Sequence, residues 1–177
     1  MRIIRGTHRG RKITPPANLP VRPTTDLAKE SLFNILDNHL YFEDLQVLDL
    51  YAGTGSISYE FASRGSRLII AVDIHPKCIS FINETITRLG FANMKAIRSS
   101  AMGFLGHSGE KYDLIFADPP YDLEGIDEVI NLVFKRELLQ EGGWLIIEHS
   151  REKDFSSFPG FYQHRNYGKV NFSFFRK

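Results

Sequence analysis

The sequence predicts an open, doubly wound α/β fold: one domain with a mostly parallel seven-stranded sheet, helices on both faces and an antiparallel hairpin at the C-terminal end. Three observations predict it. Four short apolar runs, Gln46–Leu50, Leu68–Asp73, Tyr112–Ala117 and Trp144–Glu148, have the composition of strands buried on both faces. Between them apolar residues recur at helical spacing: Ile79, Ile82, Ile86 and Leu89 bracketed by Pro76 and Gly90, then Ile126, Val129, Ile130 and Val133. After the fourth run come only strand-like aromatic pieces, Phe161–Asn166 and Val170–Phe175, joined around Tyr167-Gly168-Lys169. Strands alternating with helices of this length form right-handed βαβ units.

The remaining elements follow from weaker signals. Met94–Arg98 is a further strand candidate. Near the N-terminus, Arg2–Arg5 and Lys12–Thr14 are expected to pair as a small hairpin across Gly6–Gly10. A Pro-rich stretch follows (Pro15, Pro16, Pro20, Pro23) and reads as a linker or extended arm. Thr24-Thr25-Asp26 supplies cap-type residues for a helix to about Asn38, with Ala28, Leu32, Ile35 and Leu36 on one face. The expected division is a basic arm over residues 1–23 and an α/β domain over 24–177.

With 177 residues and 42% apolar side chains, the chain can bury one core. Its formal net charge is only +1, yet Arg2, Arg5, Arg9, Arg11, Lys12 and Arg22 all precede the first acidic residue, Asp26. That local excess marks an anion-facing segment on a nearly neutral body. The single cysteine, Cys78, excludes an internal disulfide and a cysteine metal cluster, which points to a reducing compartment, the cytoplasm. Charges interrupt every apolar run near the N-terminus, and no run reaches the roughly 20 residues of a membrane helix. No metal site is expected, and Cys78, His149 and the other histidines are read as scaffold or surface residues.

In open α/β sheets, ligands bind beyond the carboxyl ends of the strands. The first strand runs into Asp49-Leu50-Tyr51-Ala52-Gly53-Thr54-Gly55, where glycines allow close approach of a ligand at a helix N-terminus. The second strand ends in Asp73, placed to accept hydrogen bonds from a ribose diol. A dinucleotide dehydrogenase would show a similar pair, but counting G-x-G-x-x-G from Gly53 puts Ser58 at the third glycine position. Asp49, ahead of the glycines, suits the cationic methionine end of S-adenosylmethionine rather than a pyrophosphate.

The most informative residues are Asp118-Pro119-Pro120-Tyr121, directly after the strand Tyr112–Ala117. The exocyclic amines of guanine and adenine are poor nucleophiles, because their lone pairs are delocalised into the ring. The Asp118 carboxylate and the Pro119 carbonyl can accept hydrogen bonds from such an NH2 and aim its lone pair at an electrophilic methyl. Pro119 and Pro120 fix the backbone that carries these acceptors, and Tyr121 can stack on a base removed from its own stack. A rigid loop with Tyr121 covering the sheet edge is the plain structural alternative.

The sequence resembles the RsmD-type family of bacterial 16S ribosomal RNA guanine-N2 methyltransferases. The resemblance is carried by Arg2-Ile3-Ile4-Arg5-Gly6, Gly10-Arg11-Lys12, Arg22-Pro23-Thr24, Leu32–Leu36, Asp49–Gly55, Ser63-Arg64-Gly65 and Phe116–Tyr121. It implies a Rossmann-like class I methyltransferase domain, S-adenosylmethionine as donor, and guanine 966 of 16S RNA in the small subunit or its assembly intermediate as target. By position it puts Asp49, Tyr51, Gly53 and Gly55 along the cofactor, Asp73 at the ribose, Ser100 and Ala101 by the adenine, and Asp118 at the methyl end. Two residues depart from the family pattern: Asp73 stands where Glu is common, and Ser100 where Asp or Asn is common. Arg2, Arg5, Arg9, Arg11, Lys12, Arg22 and Thr24 would hold the RNA, with the basic side chains neutralising phosphates while the pocket selects the base. The expected enzyme is a monomer with no membrane attachment. Two alternatives are a DNA adenine-N6 methylase, disfavoured because no target-recognition domain is inserted, and a non-catalytic ribosome assembly factor that binds the cofactor.

Overall fold

The computed structural model describes residues 1–21, 25–120, 125–168 and 170–177. The apolar runs form parallel strands β1 (Gln46–Leu50), β2 (Leu68–Asp73), β3 (Met94–Arg98), β4 (Tyr112–Ala117) and β5 (Leu139–His149), and the aromatic pieces form β6 (Phe161–Tyr167) and β7 (Val170–Arg176). Their order in the sheet is β3-β2-β1-β4-β5-β7-β6, with β7 antiparallel to both of its neighbours. β5 starts earlier than its apolar run. Leu139 pairs with Tyr112, and an irregularity then absorbs the polar residues before Trp144 pairs with Leu114.

Helices cover both faces. α1 (Asp26–Leu36), α2 (Ser56–Ser63) and α3 (Pro76–Leu89) pack on the face carrying Val47, Phe116, Ile146 and Phe174. α4 (Ala101–His107) and α5 (Ile126–Lys135) pack on the face carrying Leu48, Ile115, Ile147 and Phe175. This is the doubly wound arrangement that the alternation of strands and helices predicts. α4 has no counterpart in the sequence reading, because two glycines in seven residues dilute its periodicity. α1 is capped by Thr25, whose hydroxyl accepts from the Ala28 amide at 3.2 Å. It ends at Leu36, and it buries Phe33 and Lys29 where the expected face had Ile35, which is only partly covered.

The expected N-terminal hairpin is short: Arg2 bridges Lys12, flanked by the Ile3 amide on the Arg11 carbonyl and the Ile13 amide on the Met1 carbonyl, both at 3.1 Å. The reason it goes no further lies in α2. The Ile4 and Arg5 amides donate to the buried Glu60 carboxylate at 2.8 and 3.0 Å, so they cannot join a ladder. Glu60 also accepts from Arg64 Nε at 3.0 Å and lies 3.8 Å from Lys29 Nζ, which in turn donates to the Arg2 carbonyl at 2.6 Å. Burial lowers the Lys29 pKa, and the Glu60 charge opposes that shift. Gly6 fits against Ser63 only because it lacks a Cβ, which would stand 1.8 Å from the Ser63 carbonyl oxygen. Ile3 and Ile13 are buried in the same core cluster as Leu32 and Phe61.

The histidines are better satisfied than the sequence suggests. His149 is buried with Nε2 2.8 Å from Ser173 Oγ and Nδ1 2.7 Å from the Ser150 carbonyl, and His8 Nε2 lies 2.9 Å from the Leu89 carbonyl. Cys78 is buried, and burial pushes its thiol up to about 11, so little thiolate forms near neutrality. Among the described residues no helix is long and apolar enough to cross a membrane.

Candidate active site

The strand order reverses between β1 and β4, and the sequence-predicted residues collect there, at the carboxyl ends of the adjacent strands β2, β1 and β4. Asp49 is the fourth residue of β1 and pairs with Ala71 on one side and Phe116 on the other. It is fully buried, and its Oδ2 accepts a short hydrogen bond from Ser58 Oγ. Burial pushes its carboxyl up to about 7 against the lowering effect of Ser58, and the charges of Asp118 and Asp73 add to the rise.

Beyond β1 the backbone turns through three left-handed residues: Tyr51 at φ 61°, Gly53 at φ 55° and Gly55 at φ 78°. Tyr51 is half-buried and pays some backbone strain for its position. At Gly55 a Cβ would meet the Tyr59 ring at 2.6 Å, so both conformation and space require glycine. The loop is tied to β2 twice, by the Ala52 amide on the Val72 carbonyl at 2.9 Å and the Gly53 amide on Asp73 Oδ2 at 2.8 Å. Asp73 Oδ1 accepts from the His75 amide at 2.7 Å. Each carboxylate oxygen keeps a second lone pair, so Asp73 can still accept from a diol.

Ser100 follows β3, and its hydroxyl caps α4 by accepting from the Gly103 amide at 3.0 Å, while Ala101 is buried. The preceding Ser99 amide donates to the Asp73 carbonyl at 3.1 Å, which ties this turn to the end of β2. Two residues absent from the sequence reading stand out here. Ile74 is 66% exposed directly after Asp73, and Met102 is 37% exposed directly after Ala101. Large apolar side chains left in water at two neighbouring strand ends are suited to a flat apolar ligand such as a purine. An apolar residue just past a strand-terminal acid was the available signal.

Asp118 follows β4 and is partly accessible at the rim, yet its surroundings are close enough that burial pushes its carboxyl up to about 7. Pro119 is buried and Pro120 exposed, while Tyr121 lies outside the described residues. Of the basic residues, Arg2, Arg5, Arg9, Arg11 and Lys12 are exposed, whereas Arg22 and Thr24 lie outside the described residues. Arg5 is partly neutralised by Asp37, with Nη1 2.8 Å from Oδ2. A cleft of about 310 Å³ is lined by His8, Arg11, Lys12, Arg88 and Leu89. The N-terminal segment also reaches the glycine loop: buried Thr54 donates to Met1 Sδ at 3.4 Å, and Val21 is the nearest side chain to a Cβ built on Gly53.

The donor set fits S-adenosylmethionine. It combines a left-handed glycine cradle, a carboxylate with free lone pairs at the end of β2, exposed apolar groups suited to a purine, and a buried acid, Asp49, whose charge suits a cationic group. Fold and site together define a class I, S-adenosylmethionine-dependent methyltransferase. A family model described as "Conserved hypothetical protein 95" matches residues 1–176, and the chain belongs to this family, the RsmD family. It is 34% identical over 148 residues to the ribosomal RNA small subunit methyltransferase D of Escherichia coli K12, covering 84% of this chain and 71% of that one. The solved structure of yhhF from Escherichia coli superposes with a TM-score of 0.87 at 28% identity, over 100% of this chain and 97% of that one. Coclaurine N-methyltransferase, solved with S-adenosylhomocysteine bound, shares the fold at a TM-score of 0.59 and 20% identity, over 72% of this chain and 36% of that one.

Proposed function

We propose that the chain methylates the exocyclic N2 amine of a guanine in 16S ribosomal RNA, with guanine 966 as the position the family resemblance implies. The observation that carries this reading is Asp118: a carboxyl held near pH 7 beside a buried proline, at the switch point of the sheet and next to a cradle for the methyl donor. The small-subunit RNA named for the Escherichia coli relative supports RNA as the substrate.

When bound, S-adenosylmethionine supplies an electrophilic methyl group on a sulfonium. Asp73 would hold the ribose hydroxyls through its remaining lone pairs, Gly53 and Gly55 would let the backbone approach, and Ile74 and Met102 would cover the purine. Asp49 would sit near the cationic end, with Tyr51 along the same wall and Ser100-Ala101 at the adenine side. Asp118 and the Pro119 carbonyl would accept hydrogen bonds from the target NH2, which fixes the nitrogen and directs its lone pair toward the methyl. Pro120 stiffens the turn, and Tyr121 would stack on the base. Residues 1–23 would serve as the RNA-contact arm of a domain over 24–177, with Arg2, Arg5, Arg9, Arg11, Lys12, Arg22 and Thr24 on the backbone of the RNA.

The test is Asp118→Ala. Methyl transfer to undermodified small subunits should fall by at least about 100-fold, because an oriented, charge-stabilising acceptor is worth that much or more. Affinity for S-adenosylmethionine should change little. Normal turnover by this variant would refute the orienting role.

A further inference from the structure

Glu148 ends the apolar run Trp144–Glu148, and the register of the sheet points to a place for it level with Asp118. In the parallel ladder Phe116 pairs with Ile146 and Ala117 with Ile147, so the next step sets Asp118 beside Glu148. Alternation decides the face. Phe116, Trp144 and Ile146 pack in the core beneath α1, α2 and α3, whereas Ala117 and Ile147 pack beneath α4 and α5. Continued one residue past the last pair, the same alternation puts Asp118 and Glu148 on the first face, one strand spacing of about 4.8 Å apart. On that face lie Asp49 with its Ser58 partner and the N-terminal segment held by Glu60. Glu148 is 4% exposed, with Phe172 of β7 opposite it. An acid at this position closes the side of the site away from the glycine loop, where a base presented to Asp118 would place the rest of its edge.

We propose that Glu148 is a specificity-determining residue that accepts the N1–H of the target guanine while Asp118 and the Pro119 carbonyl accept from its N2 amine. The proposal rests on the guanine-N2 reading above. Guanine is the base whose edge offers two adjacent donors, N1–H and N2–H2, and two acceptors on neighbouring strands match that pair. Adenine presents an N1 lone pair beside its amine, which a carboxylate oxygen at Glu148 would repel. A site built around a donor discriminates strongly against an analogue lacking it, because a lone pair would then face the carboxylate where the donor belongs.

The test uses the intact chain and small-subunit RNA carrying either guanine or 2-aminopurine at the methylated position, as free RNA or assembled particle, whichever accepts methyl. 2-Aminopurine keeps the exocyclic N2 amine but has a lone pair at N1. Wild-type protein should favour guanine by at least about 100-fold in kcat/KM. Glu148→Gln can turn its amide NH2 toward that lone pair, and should narrow the preference at least tenfold while S-adenosylmethionine affinity stays at the wild-type level. Equal wild-type rates on the two bases would overturn the proposal without any variant. So would a variant that folds and binds cofactor but keeps the wild-type preference. In both cases the label would still be in N2-methylguanosine, so the functional reading would survive. Label appearing in N6-methyladenine would instead remove that reading and this proposal with it.

Discussion

The Gly53 amide donates to Asp73 Oδ2 at 2.8 Å, so the acid that ends β2 shapes the glycine loop that ends β1. The two strand ends act as one unit. Asp73→Ala frees both the Gly53 and His75 amides and removes the lone pairs left for a diol. S-Adenosylmethionine affinity measured by calorimetry should fall at least about tenfold, or some 1.4 kcal/mol, with RNA affinity unchanged. An unaltered cofactor Kd would exclude Asp73 from the site.

Asp49 makes stability depend on pH in a defined direction. Its carboxyl loses its proton near 3.8 in the unfolded chain and near 7 in the folded one. Between those values the folded state binds more protons, so stability falls as pH rises, by at most about 1.4 kcal/mol per pH unit from this group. Asp49→Asn keeps an acceptor for Ser58 but does not titrate. Its unfolding free energy should match wild type below about pH 3.8, where both states are protonated, and exceed it at pH 8, with Asp118 still contributing to a shallower slope. Parallel pH profiles for the two proteins would contradict the assignment.

Arg9 and Arg11 are exposed and carry no ion pair among the described contacts, unlike Arg5. Replacing both with alanine should weaken RNA binding and lower the slope of log K against log salt by about 1.4, near 0.7 per lost phosphate contact on single-stranded RNA. Transfer at saturating RNA should change little. Unchanged RNA affinity would take the N-terminal segment out of the substrate site.

Strand-terminal chemistry was legible in the sequence because apolar runs that end in Asp73 or run into Asp118 announce both a buried strand and an acid at its carboxyl end. Contacts between distant segments were not. Ser58 read as a missing glycine, whereas it is the donor that satisfies Asp49. Glu60 looks like one charge on a short helix, but it is fully buried and takes two backbone amides from the N-terminal segment, which is why the hairpin expected there pairs only over residues 1–3 and 11–13. Glu148 ends its apolar run as Asp73 does, but its place beside Asp118 depends on the register between β4 and β5, which the sequence does not encode locally.

The decisive measurement is transfer of radiolabelled methyl to 16S RNA, undermodified small subunits and duplex DNA in parallel, followed by nucleoside analysis. Label is expected in N2-methylguanosine from RNA or subunits and none in DNA. Label in N6-methyladenine, or none in any acceptor while the protein binds S-adenosylmethionine, would contradict guanine-N2 methylation of ribosomal RNA.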